Sequence, residues 1–187
     1  MEELLKQIED FTPFDDKEQA DKEVMIEYIK THKDVLTRDD KIAHMTTSGW
    51  IVNKERTKVL MIYHNIYDSW AWVGGHADGD SDLFHVVKKE IEEETGVTEV
   101  KPLQEGIYGL NIVTVESHIK RGKRVNAHLH FDIEYLVEAD ENSPLRMKED
   151  ENSGVEWVPI EEVETKTNEE KMKPIYHRLN EKLKNIK

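Results

Sequence analysis

The stretch from Trp70 to Val97 forces the chain from one kind of secondary structure into another. Trp70-Ala71-Trp72-Val73 is a short apolar run that ends at Gly74-Gly75, and from Ser81 the apolar spacing becomes helical. Asp80 or Ser81 can cap that helix, and Gly96 closes it at its C-terminal end. Leu83, Val86, Val87 and Ile91 then fall on one stripe that must be buried. A strand delivered through glycines into an amphipathic helix needs a sheet to pack against. Only folds that contain both elements satisfy that demand.

The rest of the chain extends the pattern. Residues 1–40 read as helical: Leu4, Leu5 and Ile8 mark a first helix ending near Thr12-Pro13, and a second carries Ala20, Val24, Met25, Tyr28 and Ile29. From Ala43 the period changes. Residues 48–53 and 59–64 read as strands around the turn Lys54-Glu55-Arg56. Residues 107–119 and 125–137 read as two long strands joined by a hairpin at Lys120-Arg121-Gly122-Lys123-Arg124. A last strand, residues 154–158, stops at Pro159, and a final helix carries Ile175, Leu179, Leu183 and Ile186 with Pro174 in its first turn.

Composition narrows the function classes. The 187 residues carry a net charge of −14, with 35% charged residues and no cysteine. Leu, Ile, Val and Phe make up about a quarter of the chain, above the roughly 20% below which chains tend to stay disordered. The acid excess is concentrated in residues 1–40 and 78–94. Nonspecific binding to nucleic acid or to an anionic membrane is disfavoured, because phosphate backbones require basic stripes. Without cysteine, disulfide scaffolds, thiol catalysis and Cys-ligated zinc are excluded. No apolar run approaches a membrane span, and Met1-Glu2-Glu3 lacks the basic start of a signal peptide. A cytoplasmic protein is expected.

The helix at 81–95 also carries the chemistry. Glu90, Glu93 and Glu94 lie within about 100° of one another around its axis, extending the inward stripe, whereas Glu92 points outward beside Lys88 and His85. Three carboxylates so placed repel one another and resist ionising unless a cation joins them. They also stand at the helix C-terminus, where the macrodipole disfavours anions. Hard oxygen donors suit Mg²⁺ or Mn²⁺ bridging to substrate phosphates.

At these residues the sequence resembles the Nudix hydrolase superfamily. Its box, Gly, five residues, Glu, seven residues, Arg-Glu-aliphatic-x-Glu-Glu-x-Gly-aliphatic, falls on Gly75, Ser81, Lys89, Glu90, Ile91, Glu93, Glu94, Gly96 and Val97. Ser81 stands in place of the first Glu, although Asp80 and Asp82 flank it. Lys89 replaces Arg, exchanging a bidentate fork for a point charge that can pair with Glu93. The resemblance covers residues 41–187 and leaves 1–40 as an N-terminal helical extension. It implies an α/β/α sandwich with a mixed sheet, hydrolysis of a phosphoanhydride in a nucleoside diphosphate linked to another group, and a homodimer. Glu90, Glu93 and Glu94 would hold the metal with a backbone carbonyl near Gly75. The base varies within the family; Glu151, in the acidic loop before the last strand, is the candidate here.

Outside the box the readings remain open. His128, His130, Asp132 and Glu134 share one face of their strand, either a wet side or, with His130, the wall of a substrate cleft. Two histidines on one strand supply only half of a tetrahedral zinc site. Arg121 and Lys123 at the hairpin are either a solvated tip or a clamp on the far end of a phosphorylated substrate. Trp72 can stack a base or sugar, or pack in the core. A noncatalytic nucleotide sensor is the alternative function. An isomerase of isopentenyl diphosphate is rejected for want of its cysteine.

Overall fold

The computed structural model describes residues 1–120 and 122–186, with the side chain of Lys120 left out. Two helices, α1 (Glu2–Asp10) and α2 (Asp16–Thr31), precede strands β1 (Ala43–Val52), β2 (Lys58–His64), β3 (Ser69–Ala71) and β4 (Val73–His76). Helix α3 (Leu83–Thr95) follows, then β5 (Lys101–Pro102), β6 (Gly109–Val115), β7 (His118–Lys120), β8 (Lys123–Val125), β9 (His128–Glu138) and β10 (Asn152–Pro159). A 3₁₀ turn (Ile160–Glu162), α4 (Val163–Lys166) and α5 (Lys173–Leu183) complete the order.

The main sheet runs β10-β2-β1-β9-β5, with β3 on β2, β4 on β1 and β6 on β9; β7 and β8 form a separate pair. Antiparallel pairing joins β2 to β1 and β10, and β9 to β6. By contrast, the Leu129 amide reaches the Ile42 carbonyl at 2.8 Å and the Ala139 amide reaches the Val52 carbonyl at 3.0 Å. Both ends of β1 thus meet β9 in the same order, and the two run parallel. The sheet is mixed and the fold is α/β, as expected.

Contacts divide the chain into two compact units. One comprises Met1–Thr47, Gly75–Val86 and Gly106–Glu134; the other comprises Ser48–Gly74, Val87–Glu105 and Tyr135–Lys187. In the second unit, β1 shows how helices cover both faces of a strand. A Cβ on Gly49 would lie 3.2 Å from Ile91 Cδ1 and 3.3 Å from Val87 Cγ2 of α3. Trp50, fully buried, stacks instead on Tyr176 of α5 with ring centroids 5.4 Å apart. Neighbouring residues of a strand face opposite sides, so α3 and α5 cover opposite faces of β1.

In the first unit, α2 lies along β6. Its inward stripe is Glu18, Asp21, Met25 and Ile29, whereas Ala20 and Val24, expected to face inward, are exposed. Two acids occupy the buried stripe because backbone amides satisfy them. Glu18 accepts from the Phe14 amide at 2.8 Å, and Asp21 accepts from the Ile112 amide on β6 at 2.9 Å. The helix start is fixed by Asp15, whose carboxylate accepts from the Glu18 amide at 2.8 Å.

Other boundaries shift. β1 begins at Ala43 rather than Ser48, and the run at residues 70–73 divides at Trp72 because β3 pairs with β2 while β4 pairs with β1. Gly74 and Gly75, where the apolar run was expected to end, continue as strand residues of β4. The long strands expected at 107–119 and 125–137 each lose an end to the β7–β8 pair, whose turn uses Gly122 at φ 76°. Among the described residues no helix is long and apolar enough to cross a membrane.

Candidate active site

Helix α3 is built as its sequence requires, with one change at the start. The N-cap is Asp82, one or two residues later than expected: its carboxylate accepts from the His85 amide at 3.0 Å, and Asp80 braces the Asp82 amide at 2.9 Å. Ser81 is exposed and makes no cap. At the other end Gly96 adopts φ 79°, and a Cβ there would come within 3.0 Å of Arg146 Cβ. Glycine is therefore required twice over, for the left-handed backbone and for the close approach of residues 144–146.

That approach assembles the site. The last carbonyls of a helix lack intrahelical partners and carry negative partial charge, so donors and cations gather there. The Arg146 amide bonds the Thr95 carbonyl at 2.8 Å, and Asn152 Nδ2 bonds the Glu94 carbonyl at 3.0 Å. Between those anchors the loop turns back on itself, the Glu151 and Asn152 amides both reaching the Lys148 carbonyl at 2.8 Å. Lys148 and Glu151 are thereby delivered to the glutamates of α3.

Glu90, Glu94 and Glu151 come together with a ligand oxygen from each, all within 4.8 Å of one another. Glu94 is buried at 2% exposure and accepts from the Gly74 amide at 3.2 Å. Burial, with Glu90 and Glu151 adding their negative charge, pushes its carboxyl up to about 8. Glu90 is raised by burial too, with Lys148 opposing the rise. Glu93 differs: its hydrogen bond to Lys148 holds it below the usual range, and it stands outside the group of three. The Lys148 ammonium lies 2.9 Å from Glu93 and 3.0 Å from Glu151, while Lys89 pairs with Glu93 at 3.5 Å as its spacing suggests. Glu92 faces solvent, also as its spacing suggests.

Three carboxylates gather here against the ammonium of Lys148, and burial pushes the most enclosed of them, Glu94, up to about 8. A hard divalent cation fits such a donor set and would remove the penalty that raises Glu94 and Glu90. Lys148 is the functional residue that sequence reasoning missed: its i,i+3 spacing to Glu151 becomes meaningful only once the loop is seen to reach α3.

The remaining candidates lie elsewhere. Trp72 is half-buried at the break between β3 and β4, edge-on to Tyr176 with centroids 5.6 Å apart. Gly75 is half-buried in β4. Lys123 is exposed on β8, and Arg121 lies outside the described residues. His130 sits among other histidines, and the face it was expected to share with water is dry further along: Asp132 and Glu134 are buried, bonded to Thr46 Oγ1 at 2.5 Å and Asn111 Nδ2 at 2.7 Å.

The NUDIX domain family model matches residues 43–179. No sequence among the curated proteins matches this chain. Solved structures share the fold at low identity. A Nudix hydrolase from M. smegmatis, RenU, superposes with a TM-score of 0.58 at 12% identity, over 77% of this chain and 88% of that one. The NUDIX domain of Shewanella oneidensis NrtR, complexed with ADP ribose, gives 0.55 at 17% identity, over 84% and 97%. The E. coli dihydroneopterin triphosphate pyrophosphohydrolase gives 0.54 at 13% identity, over 72% and 92%.

Proposed function

The chain belongs to the Nudix family, and on that premise we propose that it is a Mg²⁺- or Mn²⁺-dependent hydrolase. Its substrate on this reading is a nucleoside diphosphate linked to another group, cut at the phosphoanhydride. The observation that carries the proposal is the convergence of Glu90, Glu94 and Glu151, with a ligand oxygen from each within 4.8 Å of the others. Stable folding alone gains nothing from three mutually repelling acids at a helix C-terminus.

Glu90, Glu93 and Glu94 would hold the metal. When bound, the ion neutralises the diphosphate and acidifies a coordinated water. Glu151 Oε accepts the proton of the attacking water, and Lys148, 3.0 Å away, fixes that carboxylate in place. The water oxygen bonds to phosphorus in line with the departing phosphate oxygen, and the proton held by Glu151 is then released to solvent. Trp72 offers a flat apolar surface for a base or sugar. Residues 1–40 remain a helical extension to the domain at 41–187.

One observation favours a second reading. Glu93 is already shared between Lys148 at 2.9 Å and Lys89 at 3.5 Å, so the chain's own cations compete for a box carboxylate. A nucleotide sensor with little turnover would follow. Incubating metal-stripped protein with Mg²⁺ or Mn²⁺ and ADP-ribose, nucleotide sugars, dinucleotides or nucleoside triphosphates in ¹⁸O-water separates the two. Metal-dependent cleavage with label in one product phosphate is expected. Metal-dependent nucleotide binding without cleavage would establish the sensor, and neither binding nor cleavage would reject both.

A further inference from the structure

Four histidines meet within the first unit, on three different strands: His44 on β1, His76 on β4, and His128 and His130 on β9. His44, His76 and His130 each present a ring nitrogen, and these nitrogens all lie within 4.8 Å of one another. The rings pack closely, with centroids 5.1 Å apart for His44 and His76, 4.8 Å for His76 and His130, and 4.8 Å for His44 and His128. The sequence displayed only the β9 pair; of that pair His130 joins the group, and strands β1 and β4 supply the other two nitrogens.

Hydrogen bonding fixes which nitrogens are bare. His44 Nδ1 lies 3.1 Å from the Asp40 carbonyl, which can only accept, so Nδ1 carries the proton and Nε2 the lone pair. That Nε2 is buried and has no hydrogen-bond partner, on a residue only 5% exposed. A buried acceptor left unpaired costs about 1–3 kcal/mol. The same logic applies on β9. His128 Nδ1 lies 2.8 Å from the Asn126 carbonyl, so its Nε2 accepts. Across the 3.1 Å contact the proton must then sit on His130 Nε2, and His130 Nδ1 is left bare.

We propose that His44, His76 and His130 form a second metal site, selective for a first-row transition ion such as Zn²⁺ and distinct from the carboxylate site. Neutral imidazoles prefer zinc, copper or nickel to magnesium, which takes oxygen. Ligands about 2.0–2.1 Å from a tetrahedral ion stand roughly 3.3 Å apart. Nitrogens already within 4.8 Å need only small side-chain rotations to close on one. The Asp40 carbonyl on His44 and the His128 ring on His130 are the outer partners that hold ligating imidazoles in the required tautomer. An ion here ties β1, β4 and β9 together and satisfies His44 Nε2. The Arg38 guanidinium, whose charge bears on His44 and His130, is itself paired with Asp78 at 2.6 Å.

The test is metal content and coordination, read without turnover, so it stands or falls apart from the hydrolase proposal. Chelator-stripped full-length protein is loaded with Zn²⁺ and dialysed against excess Mg²⁺. Retention of one zinc per chain is expected, with a zinc-edge absorption spectrum dominated by imidazole nitrogen. Glu94→Gln should retain it, whereas His44→Ala and His76→Gln should weaken it by about 100-fold or more. Zinc lost in Glu94→Gln, an oxygen-only edge spectrum, or equal affinity in the histidine variants would overturn the site. The edge spectrum of the unmodified protein decides the question even where His44→Ala fails to fold.

Discussion

The Gly74 amide donates to Glu94 Oε2 at 3.2 Å, so the strand entering the box supplies a hydrogen bond to the most deeply buried acid on α3. One such bond lowers the cost of ionising Glu94 but does not cancel it. Burial and Glu90 outweigh it, and the carboxyl rises from its ordinary 4.5 to about 8.

That rise makes the stability of the metal-free protein fall with pH. The folded state holds a proton on Glu94 that the unfolded chain gives up above about 4.5, so the contribution is complete below that value and is lost as pH rises through 8. The difference in melting temperature between the native protein and Glu94→Gln, measured in chelator, should therefore shrink or reverse from pH 5 to pH 8. Added Mg²⁺ should restore the native protein at pH 8 and leave the variant unchanged. A difference that is flat with pH would mean that Glu94 is ionised throughout.

Glu93→Gln should remove most hydrolysis while leaving the fold intact, because Glu93 is half-exposed and packs against no core. A loss of at least about 100-fold is expected, since even outer-shell changes at metal sites cost 10–100-fold. The control is an unchanged circular dichroism spectrum in chelator. Full turnover by this variant would remove Glu93 from the metal set.

Lys148 is the cation set against Glu93 and Glu151 together, and Lys148→Met tests whether it occupies the place proposed for the metal. The variant leaves Glu93 and Glu151 without the ammonium 2.9 and 3.0 Å away. Metal-free stability should fall by about 1–2 kcal/mol. Mg²⁺ should bind about tenfold more tightly, because a competing positive charge has left the group. Calorimetric titration checks both the sign and the size. Weaker binding would show that Lys148 orients the ligands instead.

These residues also mark what the sequence could reveal. Glu90 and Glu94 were legible because helical periodicity fixes direction within a turn or two, and Leu83, Val87 and Ile91 fixed which direction was inward. Glu151 was legible only through a resemblance, and Lys148 not at all, because their positions follow from how the carbonyls of Glu92, Glu94 and Thr95 are satisfied. No periodicity encodes that. The histidine cluster was hidden for a related reason: His44, His76 and His130 meet through strand pairing among β1, β4 and β9. On α2 Met25 and Ile29 are buried as expected, but Ala20 and Val24 are not, because hydrophobic spacing cannot foresee that Glu18 and Asp21 will be satisfied by amides, one of them on β6.

Asp21 joins α2 to β6, and its loss should be costly for a small change. The carboxylate, 7% exposed, accepts the Ile112 amide at 2.9 Å, a donor on the outer edge of a strand whose other edge is taken by β9. Asp21→Ala leaves that amide without its acceptor, worth about 1–3 kcal/mol. Asp21→Asn keeps an acceptor and should cost less. Urea unfolding of the two variants should rank them in that order, and hydrogen exchange at Ile112 should rise only in the alanine variant.

Gly49 sets how closely α3 approaches β1. A Cβ there would stand 3.2 Å from Ile91 Cδ1 and 3.3 Å from both Ile51 Cγ1 and Val87 Cγ2, closer than relaxed carbon contacts near 3.5–4.0 Å. Val87 and Ile91 lie on either side of Glu90, so displacing them displaces the carboxylates. Gly49→Val should cost about 1–3 kcal/mol through overpacking and should also weaken Mg²⁺ binding, although residue 49 touches no carboxylate. Pairing it with Ile91→Ala, which vacates the space the new methyls need, should recover stability and metal affinity together. Recovery of stability alone would show that α3 can shift without disturbing its glutamates.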